Sequence, residues 1–299
     1  RNLPGSDTAP GKKLRAQYRD NNNPAPLRDT GHVQNLSLTV GGNIQAVSNN
    51  LAYAAGLSND VASAWVDNAK IAVGGDMNTG FKHPWRTETP YAYGIAETTG
   101  VLMNSSLSVN NIRFSSPETL DGSASPAPVN NIGEIGVVGY DDNHGYHTNI
   151  SNNTFNIKES VTAKTGLHLI SHIGHGMSWN SNGKYGLNWV VVNKDNTYSV
   201  GKVELTGTKG AQIVFDALGE KTRTGERDDA SLPKLPEAAL ENTTLNVGEL
   251  KISNPKGKAW VNLGQRNIAG AKNNFLTYGN VTVETNILSE FNGLGGLKN

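Results

Sequence analysis

The sequence contains no cysteine, which excludes both a disulfide framework and a thiolate metal site. It also lacks a charge excess of either sign: 26 basic residues balance 26 acidic ones, and the longest basic run is Lys12-Lys13. Nucleic-acid-binding proteins carry a basic face, so we expect no nucleic-acid partner. Long apolar runs are missing as well. The stretch 189–192 is among the longest and is far too short to span a bilayer, so we expect no membrane insertion.

Residues that enter turn conformations at a low free-energy cost are abundant instead. The chain has 34 glycines, and asparagine often occurs in pairs, as at Asn110-Asn111 and Asn152-Asn153. Both residue types enter the left-handed region at low cost, which is typical of an all-β protein with many turns. Residues 1–33 are polar and proline-rich and predict an extended N-terminal arm. Residues 34–299 predict a single β domain with loop insertions near 76–94, 115–131 and 218–242.

A short unit recurs along this domain. Residues 107–114 and 245–252 share the form Φ-x-Φ-x-x-Φ-x-Φ, where Φ is apolar, and 150–157 fits with Asn152 at one apolar position. Each unit indicates two short strands joined by a two-residue bend that keeps the apolar side chains on one side. That bend suits the corner of a right-handed parallel β-helix, a solenoid in which asparagine stacks on asparagine. Candidate strands recur about every 35 to 45 residues, so each coil must carry loops.

Two further structural expectations follow from pattern. The stretch from Ser58 to Val66 has a capping residue and apolar residues at helical spacing, which predicts a short N-terminal helix that covers the open end of the coil. A two-sheet β-sandwich also uses short strands and glycine-rich turns, and it is the alternative fold.

The clustered histidines and carboxylates do not form a recognisable site. His168 and His172 share one face of a predicted strand and His175 does not, so the pattern favours a polar strand face whose Leu169 and Ile173 point inward. Asp141 and Asp142 lie in a turn sequence with His144 and Tyr146. Their spacing matches neither an EF-hand nor a calcium-binding β-roll, and whether they hold calcium stays open. We therefore predict no cofactor and no metal site.

Catalytic carboxylates are the next question, because many β-helices that bind carbohydrate are lyases or hydrolases. A glycosidase needs two carboxyl groups about 5 to 10 Å apart. Asp76, Glu88, Asp141 and Asp142 are available, but nothing in their spacing selects a pair. The sequence favours a non-catalytic protein, with a β-helix polysaccharide lyase or hydrolase as the alternative on fold analogy alone.

Aromatic residues give the strongest functional indication. One cluster holds four rings within residues 81–93, and a second lies within 179–189, both among Gly, Pro and Asn. Rings displayed on a rigid surface stack against pyranose rings, while neighbouring polar groups bond the sugar hydroxyls. The alternative is that they pack as small hydrophobic clusters over the coil. The predicted carbohydrate-binding residues are Trp85, Tyr91, Tyr93, Trp179, Tyr185 and Trp189.

With these features the chain resembles the C-terminal binding domain of tapirins, the cellulose-binding surface proteins of plant-degrading thermophilic bacteria. The shared features are the absence of cysteine, Asn/Gly-rich repeats, a polar lead-in, loops that bear aromatics, and domain length. The resemblance implies a non-catalytic extracellular adhesin at the cell surface that binds insoluble plant polysaccharide, namely cellulose, through a flat, largely apolar face. An exported passenger domain that binds a host protein is a further alternative.

Overall fold

The computed structural model describes residues 31–48, 53–54, 57–59, 64–81, 91–97, 100–116, 132–140, 148–166, 168–174, 191–208, 210–218, 240–264 and 271–293. Within these ranges the chain forms strands and no helix, so the protein is all-β. The strands are β1 (Gly31–Gln34), β2 (Ser37–Val40), β3 (Ile44–Ser48), β4 (Tyr53–Ala54), β5 (Leu57–Asn59), β6 (Ala64–Asp67), β7 (Lys70–Val73), β8 (Asp76–Phe81), β9 (Tyr91–Glu97), β10 (Gly100–Met103), β11 (Ser106–Ser115), β12 (Ile132–Tyr140), β13 (Thr148–Ser151), β14 (Thr154–Thr165), β15 (His168–His172), β16 (Val191–Lys194), β17 (Thr197–Gly207), β18 (Gln212–Asp216), β19 (Leu240–Glu241), β20 (Thr244–Asn262), β21 (Ala271–Lys272) and β22 (Phe275–Asn292).

The strands form two sheets in which every described pairing is parallel. One sheet has seven strands in the order β1-β6-β10-β13-β16-β19-β21. The other has 15 strands and curls into a half-barrel. Its first part stacks β2, β7, β11, β14, β17, β20 and β22, and its second part stacks β9, β12, β15, β18 and the end of β20. Neighbouring strands are therefore one sequence repeat apart rather than consecutive.

The repeated unit found in the sequence is present in seven successive repeats. Leu107 pairs with Phe155, Phe155 with Tyr198, and Tyr198 with Leu245, so equivalent apolar residues stack in columns. These columns form the core, in which the Phe155 and Tyr198 rings stack with centroids 4.8 Å apart. Inward side chains alternate with outward ones along each strand, as the period-two pattern requires.

The bend between the two sheets, which we call the first corner, is marked by one residue with positive φ in each repeat: Asn35, Asn68, Asn104, Asn152, Asp195, Asn242 and Asn273. Successive repeats are 31 to 48 residues apart at this corner. The amide of Asn152 donates to Oδ1 of Asn104 at 2.7 Å, and that of Asn242 donates to Oδ1 of Asp195 at 2.9 Å. Asparagine suits this position because its short side chain tolerates left-handed backbone.

From Ser105 onward, the residue that follows each of these is polar, and these residues form a second ladder of hydrogen bonds between repeats. Asn153 and Asn196 are 2% and 0% exposed. Asn196 Oδ1 accepts both the backbone N–H and the side-chain amide of Asn153 at 2.9 Å, and its own amide donates to the Ile150 carbonyl at 2.8 Å. Because every such bond joins neighbouring repeats, the ladder holds the repeats in register.

A second corner directly follows the first inward pair of the unit. Gly201, Gly248 and Gly279 stack there, and a Cβ on Gly248 would lie 2.4 Å from the Gly201 carbonyl oxygen. Asp76 also lies at this corner. It accepts hydrogen bonds from Asn111 at 2.8 Å and Arg113 at 3.1 Å, so it has a structural role.

Three sequence expectations need correction or refinement. The predicted N-terminal helix is wrong: Leu57–Asn59 and Ala64–Asp67 are strands, because Ala64–Asp67 pairs with β1 and β10 and Val66 enters the core. The first strand begins at Gly31, and within 76–94 the ranges 76–81 and 91–94 are strands. The unit at 150–157 lies at the first corner, whereas those at 107–114 and 245–252 lie at the second.

Candidate functional site

The outward side of β9, β12, β15, β18 and the last five residues of β20 forms one continuous surface, which we call the outer face. Ile135, Phe215 and Val261 enter the core, and the residues next to them in these strands lie on the opposite side of the sheet. One row across the face joins five strands in register. That row consists of Tyr93, Gly136, His172, Asp216 and Asn262.

The row contains four different polar side chains and one glycine, unlike the repeating corners. His172, Asp216 and Asn262 are 2%, 5% and 3% exposed although they point away from the core. A Cβ on Gly136 would lie 1.9 Å from the His172 carbonyl oxygen, so glycine is required for β12 and β15 to approach this closely. The outer face is thus a covered surface at this row.

His172 and Asp216 occupy adjacent strands and keep unused polar atoms. Both ring nitrogens of His172 and Oδ1 of Asp216 are buried without a hydrogen-bond partner. Burial lowers the pKa of His172, and the nearby Asp216 carboxylate opposes that change. A buried donor or acceptor that bonds nothing in the protein costs stability, so such groups concentrate where a ligand or water supplies the missing bond.

Tyr93 of this row forms a buried pair with Glu134, which lies on the neighbouring strand β12. The Tyr93 hydroxyl donates to Oε2 of Glu134 at 2.6 Å, and the two residues are 2% and 4% exposed. The Tyr93 ring lies over Gly139, where a Cβ would come within 2.1 Å of it. The sequence predicted an exposed Tyr93. The structure buries it, because Gly136 and Gly139 leave room for the ring against β12.

A half-buried apolar strip runs beside this row. Ile170, Val214 and Trp260 pair in register across β15, β18 and β20. The half-buried Tyr91 ring lies 5.7 Å from the Tyr93 ring at a tilt of 32°. The outer face therefore combines apolar surface with buried carboxylate and imidazole groups.

The remaining predicted residues lie outside the described ranges: Trp85, Trp179, Tyr185 and Trp189, together with Glu88, Asp141, Asp142, His144, Tyr146 and His175. Their points of attachment are nevertheless defined. Segment 82–90, with Trp85, leads directly into β9 at Tyr91, and segment 175–190, with the other three rings, leaves β15 after Gly174. Both aromatic segments are connected to strands of the outer face.

His168 and His172 share the outward side of β15, as the alternation predicted, and Leu169 and Ile173 are fully buried. The sequence did not single out Glu134, Asp216 or Trp260. Glu134 and Asp216 each stand alone in an apolar stretch, and only the register between strands some 40 residues apart brings them and Trp260 to one surface.

No group of three or more His, Asp or Glu residues that could hold a metal ion occurs in the described part of the chain. The same residues contain no helix long and apolar enough to cross a bilayer. No family model, curated protein or solved structure matches the chain.

Proposed function

We propose that the protein is an extracellular adhesin at the cell surface, built as a right-handed parallel β-helix, a solenoid. It binds an insoluble plant polysaccharide such as cellulose on the outer face. Seven stacked repeats, parallel pairing throughout the described residues and an asparagine ladder at one corner all support the solenoid. Right-handed winding is expected because parallel strands joined by crossovers almost always adopt that hand.

The observation that carries the binding proposal is that each aromatic segment has one end on a strand of the outer face, while its other end joins β8 or, beside Trp189, β16. β9 and β15 flank β12, so they are two strand spacings apart, about 10 Å. Segment 82–90 joins the first residue of β9, and segment 175–190 follows the last part of β15. The two segments therefore start from opposite ends of parallel strands two positions apart, and the strip of Ile170, Val214 and Trp260 extends across the face from β15 on the side away from β9.

This arrangement matches the chemistry of a sugar chain. Pyranose rings present apolar faces that stack on Trp and Tyr, and their hydroxyls need hydrogen-bond partners. Half-buried Tyr91 and Trp260 supply apolar surface on the strands, while Trp85, Trp179, Tyr185 and Trp189 supply rings from the attached segments. Tyr93 contributes indirectly, because its hydrogen bond to Glu134 fixes the ring that lies beside the Tyr91 ring.

A pull-down on microcrystalline cellulose and on xylan tests the proposal. Trp85→Ala and Trp179→Ala should each lower retention by about tenfold, the effect of losing one stacking contact. Phe275→Ala is the matched control, because Phe275 is an aromatic residue that is 66% exposed on β22, outside the outer face. Unchanged retention of both tryptophan variants contradicts the assignment. Wild-type protein that binds no glycan points instead to a protein ligand.

One observation favours a second function, a polysaccharide lyase or hydrolase. Glu134 and Asp216 lie on the same face two strands apart, about 10 Å between backbones, with His172 on the strand between them. That spacing allows two carboxyl groups to approach the separation glycosidases use. Release of reducing ends or unsaturated products that is lost in Asp216→Asn would support the enzyme, and no product from a broad glycan panel would exclude it.

A further inference from the structure

The first corner carries a sequence motif that the stacking of the repeats does not require. Six asparagines of the chain are followed two residues later by serine or threonine, with no proline between them: Asn35, Asn104, Asn149, Asn152, Asn242 and Asn280. Four of the six are positive-φ residues of the first corner, namely Asn35, Asn104, Asn152 and Asn242. Asn-x-Ser/Thr is the acceptor motif for N-linked sugar on the surface of secreted proteins.

The corner presents both parts of the motif on the outside of the stack. All four asparagines are exposed. The serine or threonine of each motif is the first residue of the next strand, β2, β11, β14 or β20. Ser37 and Thr154 are exposed, and Ser106 and Thr244 are half-buried, while the residue that precedes each of them is less exposed than the asparagine before it. The asparagine amide and the hydroxyl are therefore both accessible from solvent.

Folding accounts for the asparagine of the motif but not for the hydroxyl. Asparagine suits the corner because it tolerates positive φ. Lys70 and Phe275 pair in register with Ser106 and Thr244, in repeats whose corner residue is also asparagine. The corner therefore forms with a basic or an aromatic residue at the position of the hydroxyl.

The corner amides keep one hydrogen that the ladder does not use. Nδ2 of Asn104 donates to Asp67 in the preceding repeat at 2.8 Å, while its Oδ1 accepts from Asn152 in the following repeat at 2.7 Å. Asn242 shows the same arrangement. Donor and acceptor point to opposite repeats, so the ladder uses the N–H that lies opposite the carbonyl. A substituted planar amide keeps that hydrogen, as a trans peptide does, and the substituent replaces the other one. An attached sugar is thus compatible with the ladder.

We propose that the four corner asparagines are acceptor sites for N-linked sugar and that the substrate is a nucleotide-activated hexose. In the transfer, Nδ2 forms a bond to the anomeric carbon of the hexose, and the bond between that carbon and the nucleotide phosphate breaks. One amide proton passes to a base of the transferase, and the nucleoside diphosphate leaves. The sugars line the first corner, which is a different surface from the outer face, so the proposal does not rest on polysaccharide binding.

The four sites differ in their distance from one another. Asn104 and Asn152 lie in successive repeats, one strand spacing or about 4.8 Å apart. Asn35 and Asn242 have no motif in the repeats next to them. We expect complete transfer to Asn35 and Asn242 and competition between Asn104 and Asn152, because a sugar on one crowds the other.

Transfer to the folded chain tests the proposal. The 299-residue chain is produced without sugar in a bacterial cytosol and is then incubated with a soluble N-glycosyltransferase and UDP-glucose. Intact mass and peptide mass spectrometry count and locate the added hexoses. Asn35 and Asn242 should each carry one hexose, and the pair of Asn104 and Asn152 should carry at least one.

A matched pair of variants separates the motif from the surface around it. Thr154→Ala should abolish transfer to Asn152 and raise the occupancy of Asn104. Thr197→Ala is the control, because Thr197 pairs in register with Thr154 but follows a corner formed by Asp195, so it belongs to no motif. This control should carry as many hexoses as the wild type. Equal loss of sugar in both variants contradicts the assignment.

Asp195→Asn tests the corner by a gain of modification. Asn196 and Thr197 already follow this position, so the substitution completes a fifth corner motif. The variant should gain one further hexose at position 195. It should also fold normally, because asparagine is the corner residue in the other six repeats, and far-UV circular dichroism checks this.

Two outcomes with the purified chain overturn the proposal. One is a folded chain that gains no hexose while a reference peptide with Asn-x-Thr is modified, since the corner is then inaccessible. The other is transfer confined to Asn280, which is exposed within strand β22 and away from the first corner. The protein recovered from the cells that produce it should carry hexose at the same corner sites, and its recovery with all four asparagines unmodified overturns the proposal as well.

Discussion

The first corner and the outer face lie on the same stack of strands, yet they use polar residues in opposite ways. At the corner, Asn153 and Asn196 are buried and their side chains bond neighbouring repeats. On the outer face, His172 and Asp216 are buried equally deeply, and both ring nitrogens of His172 and one carboxylate oxygen of Asp216 bond nothing in the protein. The left-handed position of the corner is asparagine in six of its seven repeats, whereas each strand of the face contributes a different residue type.

This difference separates buried polar groups that are fully hydrogen-bonded within the protein from buried polar groups that are not. A satisfied buried network rigidifies and fixes register, and its members are interchangeable between repeats. A buried group without a partner costs free energy, which a protein tolerates where a ligand or water completes the bond. By this criterion the corner asparagines hold the stack together, whereas the unpartnered atoms of His172 and Asp216 set the outer face apart from the corner.

The largest effect should come from removing a member of the buried ladder. Asn196 is 0% exposed and bonds Asn153, Ile150 and Asn193. Asn196→Ala leaves several buried groups unsatisfied, so we expect the free energy of unfolding to fall by about 3 kcal/mol. Urea denaturation followed by far-UV circular dichroism measures the change.

Asn246→Ala is the matched control, because Asn246 is exposed on the outward side of β20. Its effect should stay within about 0.5 kcal/mol. If the two variants lose similar stability, the ladder is not what holds the repeats in register, and the contrast between corner and face disappears.

Much of the corner could be predicted from the sequence. The unit Φ-x-Φ-x-x-Φ-x-Φ is visible because apolar alternation and turn residues are local signals. The asparagine-marked corner expected at 150–157 is present, but the unit put Asn152 at an apolar position, whereas the structure gives it φ 56° and a bond to Asn104 and turns Asn153 inward. The helix expected near Val66 was wrong, since pairing with β1 and β10 places Ala64–Asp67 in a strand.

Little of the face could be predicted in the same way. Glu134, His172 and Asp216 lie in separate repeats, and loops of different length intervene. Their juxtaposition depends on inter-strand register, which single residues do not encode. Tyr93 was expected on the surface from its aromatic neighbours, whereas the space above Gly139 that buries its ring exists only after β12 has paired with β9.

A moderate effect is expected at the left-handed position itself. Asn152→Ala forces a Cβ-bearing residue without a local polar group to keep φ near 56°, and it removes the bond to Asn104. Together these should cost about 2 kcal/mol in the free energy of unfolding. Asn152→Gly loses only the bond and should cost less than the alanine variant. The reverse order in urea denaturation would show that backbone conformation does not select asparagine at the corner.

The smallest effect distinguishes the outer face by its dependence on pH. Burial lowers the pKa of His172 below its ordinary value near 6.5, against the opposing charge of Asp216. The unfolded chain therefore takes up a proton at a higher pH than the folded protein, so stability must fall as pH drops below about 6.5. Between pH 7.5 and 5.5 we expect His172 to account for about 1 kcal/mol or less of that loss.

The variant His172→Gln should remove this part of the pH-dependent loss of stability, while His168→Gln, at a half-buried site on the same strand, should remove less. Equal pH slopes for wild type and His172→Gln would mean that the imidazole is already satisfied in solution, and the polar row of the outer face would then resemble the corner.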